Sequence, residues 1–390
     1  MRAVAFLIPG LDRIAGAERQ TMLLAKGLRG RGWKVTVVAL CGAGGEAAAE
    51  LQGAGVAFAS LEMRKGLADP RGWVRLNGWL RRERPEVVHA HLPHAAWMAR
   101  WSRLAAPVPV VIDTLHSSHT GKMGRHVGYG ASRWLADQVT AVSRATAESH
   151  VAAGMVSENS VTVVENGVDV DAWQPDARAR IAMRRELGIA EEFLWLAAGR
   201  LEAVKDFPAL LTAMARVPEA ARLVVLGEGP LRAELVKMAR RLGLERRVRF
   251  AGHERNVLRW MQASDGFALT SRYEGLPMVL LEAGACAVPV VATDVAGTRE
   301  VVVDGETGWL ARAGDAAALA ARMAKLMHAP PEERRAMGER ARTHVVRRFS
   351  LEVVLDRWEQ LYADLLERKS VKRIALTARE VLRRQSAISS

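Results

Sequence analysis

The sequence alternates short apolar runs with longer stretches of helical pattern. In the first half the runs AVAFLIPG, KVTVVAL and EVVHAH are separated by stretches such as AERQTMLLAKGLRGRG. Such alternation predicts a parallel sheet with helices on both faces. The pattern begins again near Ala190 with EFLWLAAG, followed by ARLVVLGEGP and RVRFAGH. Because 390 residues exceed what one core usually holds, we predict two α/β domains.

Charge and cysteine content narrow the class of protein. The net charge of +13 predicts an anionic partner, which could be a nucleic acid, a membrane surface or a phosphorylated substrate. Cys41 and Cys286 lie far apart, so neither a disulfide framework nor a zinc site is indicated, and a cytoplasmic location fits. The start MRAVAFLIPGLDR resembles a first strand more than a secretion signal. No apolar run approaches the roughly 20 residues of a membrane span, so we expect a soluble or peripheral protein.

Residues 266–300 hold the strongest functional pattern. A short strand at 266–270 is followed by a tight loop with Gly275 and Pro277 and by the helix MVLLEAGACA. The first helical turn presents unpaired amides and the positive end of the helix dipole, which suit a phosphate. Glu274 precedes this turn and Glu282 lies within the helix, where sugar and ribose hydroxyls would satisfy both. Two glutamates at an arbitrary spacing are more often a loop acid and a solvated helix position.

A second candidate region follows the first strand. Ligands of parallel sheets bind beyond the carboxyl ends of the strands. Gly10 and the turn Gly16-Ala17-Glu18 lie there, where a missing side chain lets a substrate approach the backbone. Neither a G-x-G-x-x-G motif nor an acidic residue at the end of the second strand is present, so a dinucleotide cofactor is not expected.

Histidines are concentrated in the first half, which holds His89, His91, His94, His116, His119, His126 and His150. Metal binding is disfavoured, because no H-E-x-x-H or similar set accompanies them, and VVHAHLPHAA is equally a strand end with core and capping histidines. His116 differs, since it directly follows the strand VPVVIDTL at the ligand edge. The polar, basic loop SSHTGKMGRHVGYG after it is a candidate contact for a second substrate, the acceptor.

Basic residues follow the first strand of the second half. Arg200 and Lys205 lie between the strand EFLWLAAG and a helix start, where a guanidinium fork and a point charge can neutralise phosphates. Taken alone this is weak evidence, because most basic side chains in loops are merely solvated.

These motifs together resemble one known family. The run EGLPMVLLEA, followed by PVVATDVAGTRE and DGETGWL, resembles the donor-site signature of the retaining glycosyltransferases of family 4, the glycosyl transferases group 1. The GAER stretch is similar to the family's Gly-Gly-x-Glu turn, although Ala15 stands where the first Gly is usual, which predicts slight strain or an altered acceptor contact. VVENGVDVDAWQP resembles the family's hinge, with Glu165 where Pro is common. Its Asp169 and Asp171 form a D-x-D, for which the Asn-Gly turn favours turn roles over metal binding.

The resemblance covers residues 1 to about 366 and implies the GT-B fold, in which two Rossmann-like domains face each other across a cleft. It implies an acceptor domain at 1–185, a donor domain at 186–345, a helix at 346–366 that crosses back to the first domain, and a basic tail at 367–390. The implied activity is transfer of a hexose or N-acetylhexosamine with retention, without a metal and without a cofactor other than the nucleotide-sugar co-substrate.

The resemblance also implies the site residues. It assigns catalysis to His116, Arg200, Lys205 and Glu274. It assigns donor binding to Gly16, Gly199, Arg200, Lys205, Glu274, Gly275, Leu276, Pro277 and Glu282. In this interpretation the basic pair stabilises the leaving diphosphate, Glu274 orients the sugar, Glu282 holds the ribose, and His116 approaches from the acceptor domain. The form EGLPMVLLEA is closer to members that use UDP-sugars.

The acceptor and two other functions stay open from the sequence. A nucleotide-sugar epimerase has the same fold, and a nucleic-acid-binding protein would suit the charge, although no helix-turn-helix or RNA-stacking motif is found. Residues 367–390 hold seven basic and two acidic residues. This excess predicts either a helix on an anionic membrane, with a glycan, lipid-linked or cell-envelope acceptor at the cytoplasmic face of the inner membrane, or a solvated tail.

Overall fold

The first half of the chain forms a seven-stranded parallel sheet. The computed structural model describes residues 2–64, 69–119 and 129–388, with side chains to residue 371. The strand order is β3-β2-β1-β4-β5-β6-β7. The strands are β1 Ala3–Ile8, β2 Lys34–Ala39, β3 Ala57–Ser60, β4 Val87–His91, β5 Val110–Leu115, β6 Gln138–Ala141 and β7 Val161–Val163. The central strands are buried along their length because helices cover both faces of the sheet.

The helices of this half are α1 Gly16–Gly30, α2 Gly45–Gly53, α3 Pro70–Glu83, α4 Pro93–Ser102 and α5 Arg144–Ala152. Two separate hydrophobic clusters line the two faces of the sheet, one including Leu7 and Val88 and the other including Phe6 and Val87. Neighbouring residues of one strand thus enter opposite cores, as the pleat of a strand requires.

The second half forms a six-stranded parallel sheet in the order β10-β9-β8-β11-β12-β13. Its strands are β8 Phe193–Ala198, β9 Ala221–Leu226, β10 Val248–Gly252, β11 Gly266–Leu269, β12 Val290–Asp294 and β13 Gly308–Arg312. Its helices are α6 Ala177–Leu187, α7 Phe207–Met214, α8 Arg232–Arg241, α9 Val257–Ala263, α10 Met278–Ala285, α11 Ala296–Arg299, α12 Ala316–His328 and α13 Pro331–Phe349. The predicted pair of parallel α/β sheets is confirmed.

The strand order places one crevice in each domain. β1 lies between β2 and β4, and β8 lies between β9 and β11, so the chain changes direction of travel across the sheet at β1 and at β8. Ligands of open α/β sheets bind beyond the strand ends at such points. The two domains touch at these edges, and across that contact Glu300 accepts hydrogen bonds from the first amides of α5, at 3.1 Å from Arg144 N and 2.9 Å from Ala145 N.

The chain passes between the domains twice at one place. Val168, on the connection out of the first domain, forms an isolated bridge with Ser350. The Val168 amide donates to Phe349 O at 2.9 Å, and the Leu351 amide donates to Val168 O at 2.8 Å. Glu165, where the hinge pattern usually has Pro, is ion-paired with Arg348 at 3.1 Å and Arg357 at 2.6 Å.

The last helix, α14 Leu351–Ile388, packs back on the first domain. Arg31, at the C-cap of α1, binds carboxylates on successive turns of α14, including Asp356 at 2.7 Å. Trp358 and Tyr362 are buried in the core of the first domain. The helix continues without interruption past residue 367, where the tail was predicted to begin. No helix among the described residues is long and apolar enough to span a membrane.

Candidate active site

An ion pair joins the loops that follow β8 and β11. Lys205 Nζ lies 2.5 Å from Glu274 Oε1, and both side chains are largely buried. Ser271 Oγ donates to the same carboxylate oxygen at 2.5 Å. Thr270 Oγ1 donates to Lys205 O at 2.7 Å, so the two loops are also tied through the backbone. The structure therefore brings together Lys205 and Glu274, two of the four predicted catalytic residues.

Arg200 lies on the same loop as Lys205, but its side chain is directed elsewhere. It is 67% exposed and pairs with Glu202 at 2.8 Å. Within the described part of the chain its side chain forms no ion pair with Glu274. The preceding residue, Gly199, is approached closely by Gly227, where an added Cβ would lie 2.0 Å from Gly199 O. The backbone is thus crowded here, while the Arg200 side chain lies largely in solvent and is held by Glu202.

The turn at Gly275 carries Glu274 against the first domain. A Cβ added at Gly275 would lie 2.3 Å from His116 O. Ser118 Oγ donates to Glu274 O at 2.9 Å, and Asn166 Nδ2 donates to Leu276 O at 3.2 Å. Loops from both domains therefore meet at this turn.

Helix α10 begins immediately after the turn, with Pro277 at its N-cap. The amides of a first helical turn have no acceptor within their own helix, and the dipole adds positive charge there. The predicted phosphate-binding helix end thus lies directly beyond Glu274.

Glu282 is buried on α10 and faces α1 of the first domain. Its Oε1 accepts from Arg19 Nη1 at 2.7 Å, and its Oε2 has no partner among the described residues. Burial raises the pKa of Glu282, and the neighbouring Arg19 opposes that shift. Gly16, three residues before Arg19, lies against the start of the same helix, with Met278 Cγ 3.8 Å from an added Cβ. Glu282 and Gly16 therefore share one surface between the domains.

The sequence interpretation missed Arg19, although it lies within the GAER stretch. Which acid it would pair with depends on how the domains dock, and a sequence pattern does not give that. The prediction of slight backbone strain at Ala15 was wrong. Ala15 has φ −116° and ψ −163°, an extended backbone that alanine adopts freely. Its amide donates to Glu18 Oε2 at 3.1 Å, which secures the start of α1.

His116 follows β5 and belongs to a pair of histidine rings. Its Nε2 lies 2.8 Å from Nδ1 of His91, at the end of the neighbouring strand β4. Burial lowers the pKa of His116 to about 4, so the imidazole is neutral at physiological pH. Because His116 O also contacts the Gly275 turn, this histidine lies at the same interdomain edge as Glu274.

Two predicted features lie away from this edge or outside the described chain. Asp169 Oδ1 accepts from the amides of Asp171 at 3.1 Å and Ala172 at 2.9 Å, which confirms its turn role. The residues described here contain no group of three or more His, Cys, Asp or Glu side chains placed to hold a metal ion. His126 and most of the predicted acceptor loop, residues 120–128, lie outside the described residues.

Comparison with known proteins decides the family. The model for Glycosyltransferase Family 4 matches residues 14–172, and the model for Glycosyl transferases group 1 matches residues 179–344. The N-acetyl-alpha-D-glucosaminyl L-malate synthase of Bacillus anthracis is 30% identical over 298 residues, which are 73% of this chain and 76% of that protein. The chain is a family 4 glycosyltransferase. The D-inositol 3-phosphate glycosyltransferase of Xylanimonas cellulosilytica is 33% identical over 327 residues, which are 76% of this chain and 75% of that protein.

A solved structure has the same fold as this glycosyltransferase over nearly the whole chain. The Anabaena protein HepE, crystallised with UDP-glucose, superposes with a TM-score of 0.81 at 23% identity, covering 93% of this chain and 99% of the other. The GT-B fold predicted from the sequence is confirmed. The family makes this enzyme a glycosyltransferase, in preference to the epimerase and nucleic-acid-binding alternatives.

Proposed function

We propose that the enzyme transfers a hexose or N-acetylhexosamine from a UDP-sugar, with retention of configuration and without a metal, to a glycan, lipid-linked or cell-envelope acceptor. The observation that carries the proposal is the Lys205–Glu274 pair at the start of α10, beside His116. A cation, a helix N-terminus and a carboxylate converge there, which is the set that a diphosphate attached to a sugar requires.

Lys205 is the group that meets the leaving diphosphate. In the described structure its charge is neutralised by Glu274. An incoming diphosphate offers Lys205 a stronger anionic partner. The Glu274 carboxylate is then free to accept hydrogen bonds from the hydroxyls of the sugar. Ser271 keeps that carboxylate in place during the exchange. As the bond to the sugar breaks, charge grows on the diphosphate, and Lys205, Arg200 and the α10 amides stabilise it.

The remaining residues proposed to bind the donor lie on the surface between the two domains. Glu282 Oε2 is buried and unpartnered among the described residues, so a ribose hydroxyl would satisfy it. Gly16 leaves room beside α10 for the donor, and Gly199, Gly275, Leu276 and Pro277 shape the backbone around the phosphates. His116 lies against the Gly275 turn, and in this proposal it meets the sugar.

The choice of nucleotide rests on the EGLPMVLLEA run and is supported by the UDP-glucose complex of HepE. A thermal-shift screen with UDP-, GDP- and ADP-sugars tests it. We expect a UDP-sugar to give the largest rise in Tm, because ligand at 100 times its Kd stabilises the folded state by about 2.7 kcal/mol. A larger rise with a GDP- or ADP-sugar would reject the UDP assignment. Absence of any rise with all three classes would reject the donor site itself.

Activity is expected to persist in EDTA. Lys205, Arg200 and the first turn of α10 supply the positive charge that a divalent ion supplies in other glycosyltransferases, and Asp169 is engaged in a turn. The measurement is UDP release with and without EDTA, after extensive dialysis. Loss of activity in EDTA with recovery on addition of Mn²⁺ would show that a metal takes part, and Asp169→Asn and Asp171→Asn would then locate it.

Membrane association is proposed for the basic segment 367–390. Its seven basic and two acidic residues lie on α14 beyond Trp358 and Tyr362, and one of them, Lys369, is paired with Asp137 of the first domain. Attraction to anionic lipid contributes about 1 kcal/mol per basic residue near the surface and is screened by salt over about 8 Å at physiological ionic strength. A lipid-linked or cell-envelope acceptor at the inner membrane would suit this location.

We expect the full chain to cosediment with anionic vesicles at low salt and to be released as salt increases. A chain that ends at Glu367 keeps Trp358 and Tyr362 and is expected to stay in solution with the same vesicles. Neutral vesicles serve as the lipid control. Equal binding to both vesicle types, or undiminished binding of the shortened chain, would contradict the proposal.

A further inference from the structure

His91 makes one polar contact among the described residues, and that contact is with His116. It ends β4, is fully buried, and lies beside β5, where it is in register with Thr114. Its Nδ1 is 2.8 Å from His116 Nε2, and the two ring centroids are 5.0 Å apart. Its other ring nitrogen, Nε2, is buried without a partner in the described part of the chain.

Both rings are neutral, so one of them donates the hydrogen bond between them and the other accepts it. Burial lowers the pKa of His91 well below its usual value and that of His116 to about 4. In a pair of neutral imidazoles one nitrogen carries the shared hydrogen and the other accepts it. The ring that donates the shared hydrogen has an acceptor as its second nitrogen, and the ring that accepts it has a donor. The tautomer of His91 therefore determines whether His116 Nδ1 is a donor or an acceptor.

His89, two residues earlier on the same strand, shows what a core histidine looks like here. Its Nδ1 lies 2.7 Å from Tyr362 Oη and its Nε2 lies 2.6 Å from Thr114 Oγ1. Both of its nitrogens are satisfied within the core. His91 leaves one nitrogen unsatisfied at a cost in desolvation, which an apolar side chain of similar size would avoid. The single contact it does make is with the ring at the interdomain edge.

We propose that His91 is a positioning residue that holds His116 in one tautomer and one ring orientation at the donor site. The inference rests on the proposed function, in which His116 meets the donor sugar. His91 itself does not touch the substrate. It acts on the hydrogen-bonding character of His116, whose backbone oxygen faces the Gly275 turn that carries Glu274.

Two substitutions separate this role from packing. His91→Asn places an amide group near the position of Nδ1 and can still bond to His116, whereas His91→Leu restores the volume with no polar atom. We expect His91→Leu to lower kcat by about 10- to 100-fold with little change in the donor KM, because a misplaced reacting geometry costs up to about 100-fold. His91→Asn is expected to retain more activity than His91→Leu. Turnover is measured as UDP release from the UDP-sugar that the thermal-shift screen selects.

A role in packing predicts the reverse order, since Leu fills the site better than Asn, and that order would overturn the inference. His94→Leu is the matched control: His94 is a half-buried histidine three residues further on that makes no described contact with His116. We expect its turnover to be unchanged. In a His116→Ala background, His91→Leu is expected to add no further loss, and an additive loss would also overturn the inference.

¹⁵N NMR of the histidine rings in the full chain gives a readout that is independent of catalysis. We expect one tautomer of His116 in the unchanged protein, a mixture in His91→Leu, and return of the single tautomer in His91→Asn. Identical spectra in all three proteins would reject the positioning role. If His116→Ala alone has normal turnover, the proposed function of His116 is wrong, while the spectra still decide whether His91 controls its tautomer.

Discussion

Lys205→Ala is expected to lower turnover by about 100- to 1,000-fold, as removal of one preorganised stabilising group typically does. The largely buried ammonium group already lies 2.5 Å from Glu274, so it needs no long-range movement to meet a diphosphate. Because the contact strengthens as charge develops on the leaving group, the loss is expected mainly in kcat. Steady-state UDP release at several donor concentrations separates kcat from KM.

Lys237→Ala on α8 is the matched control, because Lys237 is an exposed lysine outside the loops that follow β8 and β11, and its turnover is expected to be normal. Arg200→Ala is also expected to lower turnover, though less than Lys205→Ala. Arg200 must leave Glu202 and turn from solvent toward the donor, and that reorganisation offsets part of its contribution. Near-normal turnover in both Lys205→Ala and Arg200→Ala would reject the proposed stabilisation of the diphosphate.

Gly275→Ala is expected to abolish most activity while the protein stays folded. The added Cβ would lie 2.3 Å from His116 O, a backbone atom of the other domain that no rotamer change can move aside. The clash is relieved only if the backbone on one side shifts, and either shift moves Glu274 relative to His116. A displacement of about 1 Å can cost about 100-fold in rate. Turnover and Tm are measured together.

The control is Gly78→Ala on the exposed face of α3, where no atom lies within 4 Å of the added Cβ. It is expected to leave turnover unchanged and to raise Tm slightly, since alanine is favoured over glycine in a helix interior by about 1 kcal/mol. A Gly275→Ala enzyme with full activity would show that catalysis does not need the close approach of the Gly275 turn to His116. A large fall in Tm would mean instead that the clash destabilises the domains themselves.

Much of the fold could be predicted because buried parallel strands are apolar along their length. The predicted runs AVAFLIPG, EFLWLAAG and RVRFAGH coincide with β1, β8 and β10. β7, β12 and β13 were not predicted as strands. β7 has only three residues, Val161–Val163, with a more exposed pattern, and β13 mixes buried, half-buried and exposed positions without a regular period. Their assignment depends on neighbouring strands, which local patterns do not reveal.

The candidate site could be predicted where local motif and chemistry coincide. Glu274, the Gly275 turn and Lys205 come together in the structure as expected from a strand, a loop and a helix start. The partners in the other domain could not be found in this way. Arg19 meets Glu282 across 263 residues of sequence, and His91 meets His116 because β4 and β5 are neighbours. Both contacts are set by docking and sheet order.

The two connections between the domains pass side by side at Val168 and Ser350 and are hydrogen-bonded to each other there. A rotation about a line through that crossing changes the length of neither connection. A relative rotation of the domains about this line therefore has to break side-chain contacts between them, such as those of Glu300 with α5, but leaves the crossing of the two connections intact. The ion pairs of Glu165 with Arg348 and Arg357 lie beside the crossing, so a rotation of this kind would change them least.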